Sequence, residues 1–374
     1  MKKKLKIAMY VSSNASQAGG DKEHILNLST YLNDKGHKVD IYGPINNIYP
    51  FKNYFPITES IFLPLPGKNN VAANIPLRES KEIIHKINLR KYDIVHIHDP
   101  QTPFFTYELM KEIKGIKIAT FHNAWDNNSV LNIFNPILPL LEETFYKYYQ
   151  GAIFVSKLVE KRWFHLCKNR PNKIIYSGVG KNFKPVKKNK INKTINLLFL
   201  GRLAQRKNPI FLIKLFKKTV KIIPNLFLTF VGKGKLEKDL KLYIKQNNLR
   251  KNVFLKGEIF GDKRIKEYQK ADIFCAPYVD EAFGLTIIEA MACGVPIIGF
   301  NYEALKEILK NYPNHKYLVE SKNQNKFMDA IIDLANNKEE REKLGKWCIR
   351  ESKKFSWNTA TKETEDFYYK VLKK

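Results

Sequence analysis

Asp280-Glu281-Ala282-Phe283-Gly284-Leu285-Thr286-Ile287-Ile288-Glu289-Ala290-Met291-Ala292-Cys293-Gly294 decides how this chain is read, because it sets two carboxylates, Glu281 and Glu289, eight positions apart around an apolar run. Eight residues is a little over two turns of α-helix at about 3.6 residues each. Glu281 is then expected just outside a helix start and Glu289 within the helix, on nearly the same angular face. Backbone N–H groups of Phe283, Gly284 and Leu285 would lie beside Glu281, at a helix end that favours anions. Such a layout suits a sugar nucleotide, with amides for a phosphate, one carboxylate for sugar hydroxyls and the other for ribose hydroxyls. Helix capping by Glu281 is the ordinary alternative, and the length of the motif argues against it.

Outward from this segment, short apolar runs alternate with amphipathic stretches along the whole chain, the pattern of βα units winding parallel sheets. Strands are expected at 5–11, 38–42, 94–98, 117–121 and 152–155 in the first half. In the second they are expected at 195–200, 226–231, 253–255, 273–276, 295–299 and 317–319. Ile25, Leu28 and Leu32 fall at helical spacing, and Gly36 stops that helix. Residues 44–76, rich in Pro, Asn and Gly, are expected to be loops rather than sheet interior. A chain of 374 residues exceeds one ordinary core, and the Lys-rich stretch 181–193 reads as a linker. The expected domains are 1–185 and 186–357, followed by a terminal helix over 358–374.

The formal net charge is +29, yet 10 of the 65 basic residues are Arg and the rest are Lys spread over both halves. A nucleic-acid reader is expected to use Arg forks on phosphates and base edges, with aromatic residues between them. Nucleic acid is therefore not the expected partner, whereas an anionic membrane surface attracts Lys without that geometry. Cys167, Cys275, Cys293 and Cys348 lie far apart, without the spacing of a zinc site or a disulfide framework, which suits a reducing cytoplasm. The apolar run 7–11 after the basic start is too short for a signal-peptide core and reads as a buried strand. No stretch approaches the roughly 20 apolar residues of a membrane span, so membrane contact is expected to be peripheral.

Other segments carry chemistry less specifically. Gly19 and Gly20 follow the first strand and open the first helix, without the third glycine of the dinucleotide fingerprint. Gly201-Arg202-Leu203-Ala204-Gln205-Arg206-Lys207 puts three cations at a strand's C-terminal end, where open α/β sheets bind ligands. Arg202 by a fork and Lys207 as a point charge suit a diphosphate; a solvated basic loop is the alternative. Gly232-Lys233-Gly234 is a phosphate-loop-like turn that lacks the Walker A spacing. His96 and His98 share one side of a strand, but two imidazoles without a third ligand read as packing or substrate-cleft residues rather than a metal site.

The paired-carboxylate segment resembles the E-x7-E signature of retaining GT-B glycosyltransferases of family 4, and the likeness runs along nearly the whole chain. Asp93-Ile94-Val95-His96-Ile97-His98-Asp99-Pro100, Ala119-Thr120-Phe121-His122 and Ala271-Asp272-Ile273-Phe274-Cys275-Ala276-Pro277 are most similar to phosphatidylinositol mannosyltransferases and related glycolipid enzymes. The resemblance implies two Rossmann-like, doubly wound parallel-sheet domains facing across a cleft, the first on the acceptor side and the second binding the sugar nucleotide. It implies retaining transfer of a mannose- or glucose-type hexose from a GDP- or UDP-sugar to a lipid-linked or glycan hydroxyl. The implied place is the cytoplasm, on the inner membrane face.

By the same resemblance Arg202 and Lys207 clamp the diphosphate, Glu281 holds sugar hydroxyls, Glu289 holds the ribose, and His122 sits beside the transferred sugar. Gly19 and Gly20 approach the donor phosphates, and Gly232, Ile259, Phe283, Gly284 and Leu285 complete the donor site. No cofactor or metal is expected: the sequence has no Asp-x-Asp triplet, and cationic side chains can carry the leaving charge. The 202–207 loop and the segment before Glu281 are each a residue short of the mannosyltransferase pattern, and Asn301-Tyr302-Glu303-Ala304 stands where a glycine-rich turn is usual. These departures bear on the donor's base and sugar. A GT-B sugar-nucleotide epimerase or phosphorylase shares the same clamps, although no pyridoxal-phosphate lysine is identifiable; a basic nucleic-acid-binding module is the non-enzymatic alternative.

Overall fold

The computed structural model describes residues 2–13, 19–45, 47–63, 71–102, 105–124, 147–187, 194–279 and 281–373. Asp280, residues 188–193 of the Lys-rich stretch, residues 46 and 64–70 of the Pro-rich stretch and the side chain of Phe62 lie outside the described set. The chain divides into two compact units, Met1–Gly178 with Trp357–Lys374, and Val179–Ser356.

The first unit holds β1 (Lys6–Val11), β2 (Lys38–Pro44), β3 (Tyr54–Leu63), β4 (Val71–Pro76), β5 (Ile94–His98), β6 (Ile116–Phe121), β7 (Gly151–Phe154) and β8 (Asn172–Ile174) in one sheet of order β4-β3-β2-β1-β5-β6-β7-β8. All neighbours are parallel except β3 with β4. The second unit holds β9 (Ile195–Leu200), β10 (Leu226–Val231), β11 (Val253–Leu255), β12 (Ile273–Ala276), β13 (Ile297–Phe300) and β14 (Leu318–Val319) in a parallel sheet of order β11-β10-β9-β12-β13-β14. Both are Rossmann-like α/β sheets. In each, strand order reverses beside the first strand, at β1/β5 and β9/β12, and ligands of such sheets bind beyond the strand ends at that point.

Helices α1 (Gly20–Asp34), α2 (Ser80–Asn88), α3 (Phe105–Glu112) and α4 (Lys157–Trp163) belong to the first unit. The second has α5 (Pro209–Ile222), α6 (Glu237–Gln246), α7 (Gly261–Lys270), α8 (Leu285–Ala292), α9 (Glu303–Ile308), α10 (Gln324–Asn336) and α11 (Lys338–Ser352). The last helix, α12 (Trp357–Leu372), returns to the first unit. Its stripe of Trp357, Ala360, Phe367, Tyr368 and Val371 shares a core with Ile7 and Met9 of β1 and with Ile25, Leu28 and Leu32 of α1. Gly151 permits that approach, since a Cβ there would stand 3.0 Å from Val371 and 3.1 Å from Phe367. The opposite sheet face buries Ala8 and Tyr10 against α2 and α3. Burial on both faces explains why β1 reads as a continuous apolar run.

Residues 44–76 depart from the expectation of loops, for they contain β3 and β4 at the sheet edge. Pro56 is tolerated because antiparallel pairing with β4 begins only at Thr58, so its missing N–H leaves no ladder bond unmade. Nor do the described aromatics of this stretch, Tyr49, Phe51, Tyr54 and Phe55, stand out from the surface. Tyr49 is buried and stacks on Phe51, which stacks on Tyr54, while Phe55 stacks on Tyr42 beneath the Arg90 guanidinium. Two late strands also shift: β13 begins two residues beyond the expected 295, because the Val295 N–H still closes α8 onto Ala290 O at 3.0 Å, and Tyr317 lies in a 3-10 turn before β14. Among the described residues no helix is long and apolar enough to cross a membrane.

Candidate active site

At the switch point of the second sheet, the chain leaving β9 turns through Gly201 and a 3-10 segment, Gln205–Lys207, before Asn208 in the left-handed region and Pro209 at the start of α5. This turn aims Lys207 inward at the residues that follow β12. Its ammonium pairs with the Glu281 carboxylate and lies 3.8 Å from the ring centroid of Tyr278. The Tyr278 hydroxyl donates to Leu200 O at 2.8 Å, and the Val279 N–H donates to Arg206 O at 2.9 Å, so the two loops are tied together.

Burial lowers the Lys207 pKa, with Glu281 opposing and the charges of Arg206 and Arg202 adding to the fall. Burial alone would raise the Glu281 carboxyl, but Lys207, Arg206 and Arg202 together bring it below its ordinary value. Lys207 and Glu281 cancel, and Arg202 and Arg206 leave the locus positive. Arg202 is exposed and Arg206 half-buried, which leaves a diphosphate able to reach them.

Gly284, at φ +115°, precedes α8 and supplies no side-chain cap. Glu281 is therefore engaged by Lys207 rather than by the helix end. The N–H groups of Gly284 and Leu285 have no partner among the described residues, as an anion site requires. Phe283 is buried against Phe355. Glu289 is buried within α8, where Arg264 Nη2 donates to one carboxylate oxygen at 3.0 Å and the Tyr268 hydroxyl to the other at 2.7 Å. Ile259 is half-buried in the loop before α7. Gly232 has a packing role: a Cβ there would stand 2.0 Å from Gly201 O, and its own N–H donates to Gly257 O at 2.7 Å, so that amide is not offered to a phosphate.

The first unit gathers a second polar cluster at its own switch point. Gly19 precedes α1, with Gly20 as its first residue, and the Gly19 N–H donates to the Tyr49 hydroxyl at 3.0 Å. Asp21 pairs with Lys22 at 3.1 Å and accepts from Ser13. Asp99, just past β5, accepts the His122 N–H at 2.9 Å and the Asn123 amide at 3.2 Å, fixing the loop after β6. His98 Nδ1 lies 3.0 Å from His122 Nε2. His96 has both nitrogens occupied, by Tyr368 and Thr120 hydroxyls at 2.6 Å each, and burial drives its pKa down to about 3. It is a packing residue. His24, which the sequence reading did not single out, joins His98 and His122, as Arg206 and Tyr278 join Lys207.

Residues 18–181 match the family model described as Glycosyltransferase Family 4, and residues 180–348 match Glycosyl transferases group 1. The chain is 26% identical over 311 residues to a phosphatidyl-myo-inositol mannosyltransferase of Mycolicibacterium smegmatis, covering 82% of this chain and 78% of that one. In fold it is similar to a sucrose-phosphate synthase from Thermosynechococcus elongatus, with TM-score 0.76, 19% identity and 99% of each chain covered. It is also similar to Anabaena HepE in complex with UDP and glucose, with TM-score 0.75, 14% identity, and 97% and 98% covered.

Proposed function

Since the chain belongs to the family 4 and group 1 glycosyltransferases and is a transferase of GT-B architecture, we propose that it moves a hexose, with retention, from a UDP- or GDP-sugar to a hydroxyl of a lipid-linked or glycan acceptor. The observation that carries this reading is the Lys207–Glu281 pair at the end of β9, ringed by Arg202 and Arg206 and by the open amides of Gly284 and Leu285. A dianionic leaving group is what that excess of positive charge suits. The likeness to a phosphatidyl-myo-inositol mannosyltransferase favours a lipid acceptor, and HepE, solved with UDP and glucose, supports a nucleoside diphosphate donor.

In this mechanism Arg202 and Lys207 hold the diphosphate, Glu281 orients sugar hydroxyls, and Glu289, steadied by Arg264 and Tyr268, takes the ribose hydroxyls. His122 acts on the transferred sugar. The acceptor oxygen bonds to the anomeric carbon on the face from which the diphosphate departs, and the acceptor proton passes to the leaving phosphate oxygen. Developing charge is met by preorganised cations and amides, so no bridging metal is needed. The Lys excess draws the chain to anionic lipid at the cytoplasmic membrane face, each nearby Lys contributing on the order of 1 kcal/mol.

Incubation with radiolabelled UDP- and GDP-hexoses and phosphatidylinositol vesicles, with NMR of the product's anomeric configuration, tests the proposal. Transfer with the donor's configuration supports it. An inverted product, or interconversion of the sugar nucleotide without any acceptor, contradicts it.

A further inference from the structure

His24 on α1, His98 at the end of β5 and His122 after β6 meet at the switch point of the first sheet. One ring nitrogen from each lies within 4.8 Å of the other two, and the closest pair, His98 Nδ1 and His122 Nε2, is 3.0 Å apart. The three residues are 3%, 1% and 8% exposed, so this is a built interior site rather than a surface coincidence. His24 stands edge-on to both other rings, with centroids 5.8 Å from His98 and 4.8 Å from His122. Its Nδ1 is engaged by the Ser177 hydroxyl at 2.8 Å, which leaves Nε2 for another ligand. His98 Nε2 is buried without a hydrogen-bond partner among the described residues, whereas neighbouring His96 has both nitrogens satisfied. His24, His98 and His122 instead turn ring nitrogens toward one another, where His96 is closed off by two hydroxyls.

We propose that His24, His98 and His122 form a binding site for a divalent cation of the zinc type, with water in the fourth position. The ligand set selects the class: three imidazoles suit zinc, whereas magnesium and manganese prefer oxygen. Zinc–nitrogen bonds of about 2.0–2.1 Å place tetrahedral ligands roughly 3.3 Å apart. The three ligand nitrogens lie within 4.8 Å of one another, and the 3.0 Å hydrogen bond between His98 and His122 gives way to coordination when the cation enters. Ser177 supplies the outer contact that orients a ligating histidine.

The functional consequence rests on the proposed role of His122. With a ring nitrogen given to the cation, His122 is withdrawn from the sugar, so the cation inhibits transfer while catalysis itself needs none.

The test uses the full chain, stripped with EDTA and freed of chelator. Cobalt(II) is the spectroscopic probe and zinc the calorimetric one. One cation per chain, visible bands of tetrahedral cobalt, and affinity at least tenfold weaker in His24→Gln are expected; glutamine keeps a polar group near Ser177. His122→Gln serves as the second variant should His24→Gln not fold by circular dichroism. Absence of saturable one-to-one binding, or undiminished affinity in a folded variant, overturns the site. Stoichiometric binding that leaves transfer untouched upholds the site and overturns the inhibitory role, so the two readings fail separately.

Discussion

Lys207 and Glu281 form an ion pair inside the second unit, with the ammonium seated on the Tyr278 ring. Seventy-four positions separate them in sequence, and the pair exists because β9 and β12 are adjacent in the sheet. Removing either partner leaves the other buried charge unpaired, whereas neutralising both leaves no orphan charge.

Glu281→Gln and Lys207→Met are each expected to lower transfer on the order of 100-fold and to cost about 3 kcal/mol of stability, part of which returns in the double variant. Denaturant titrations of the four proteins, with single-turnover rates, check this. Near-normal turnover in both single variants would contradict the assignment of the donor site.

Donor hydrolysis and transfer are expected to continue in excess EDTA, because the leaving charge is met by Arg202, Lys207 and helix amides. Chelation should raise the rate of preparations carrying zinc. Activity abolished by EDTA and restored by magnesium or manganese would overturn the cationic clamp.

His37 supplies a pH dependence in the first unit. Its Nδ1 accepts the Leu5 N–H at 3.1 Å, so the proton sits on Nε2, which faces Glu365 at 3.1 Å. Burial is the largest influence and lowers the pKa below 6.5; Glu365 opposes it, and Lys4 and Lys35 add to the fall. Below about pH 6.5 the unfolded chain therefore binds a proton that the folded one resists, and stability declines as pH falls through the folded value. His37→Asn keeps an acceptor for Leu5 without the titration. The gap in denaturation midpoint between wild type and variant should narrow from about pH 7 to 5, and a constant gap would contradict this account.

Much of this architecture is legible in the sequence, and the misses have physical causes. Runs such as 6–11 and 195–200 announce themselves because both faces of a parallel strand are buried. β3 does not, because Pro56 and the neighbouring Asn and Gly residues carry turn signals, and only the stagger between β2 and β4 pairing makes room for the proline. At the site, the Glu281 and Glu289 spacing is a local helical property and can be read directly. The partners of Glu289 come from another helix, α7, and no local pattern names them. Gly232 reads as a phosphate turn, yet its missing side chain is needed against Gly201 O. His24 escapes notice because its partners lie on other strands and its own helix shows only an ordinary apolar stripe.

Membrane association is expected to depend on charge rather than on inserted aromatics, since Tyr49, Phe51, Tyr54 and Phe55 are stacked within the fold. Sedimentation with anionic vesicles should be strong at low salt and weaken steeply as salt rises. Equal binding to neutral vesicles, or none to anionic ones at low salt, would contradict it.

The second unit is expected to bind a nucleoside diphosphate sugar through Lys207, Arg202 and Glu281. Calorimetric titration of UDP, GDP, UDP-glucose and GDP-mannose into the wild type and into Lys207→Met tests it most directly. Saturable one-to-one binding of one nucleotide series to the wild type is predicted, with affinity at least tenfold weaker, about 1.4 kcal/mol, in the variant. No binding of any of the four, or equal affinity in a folded Lys207→Met protein, would contradict the claim.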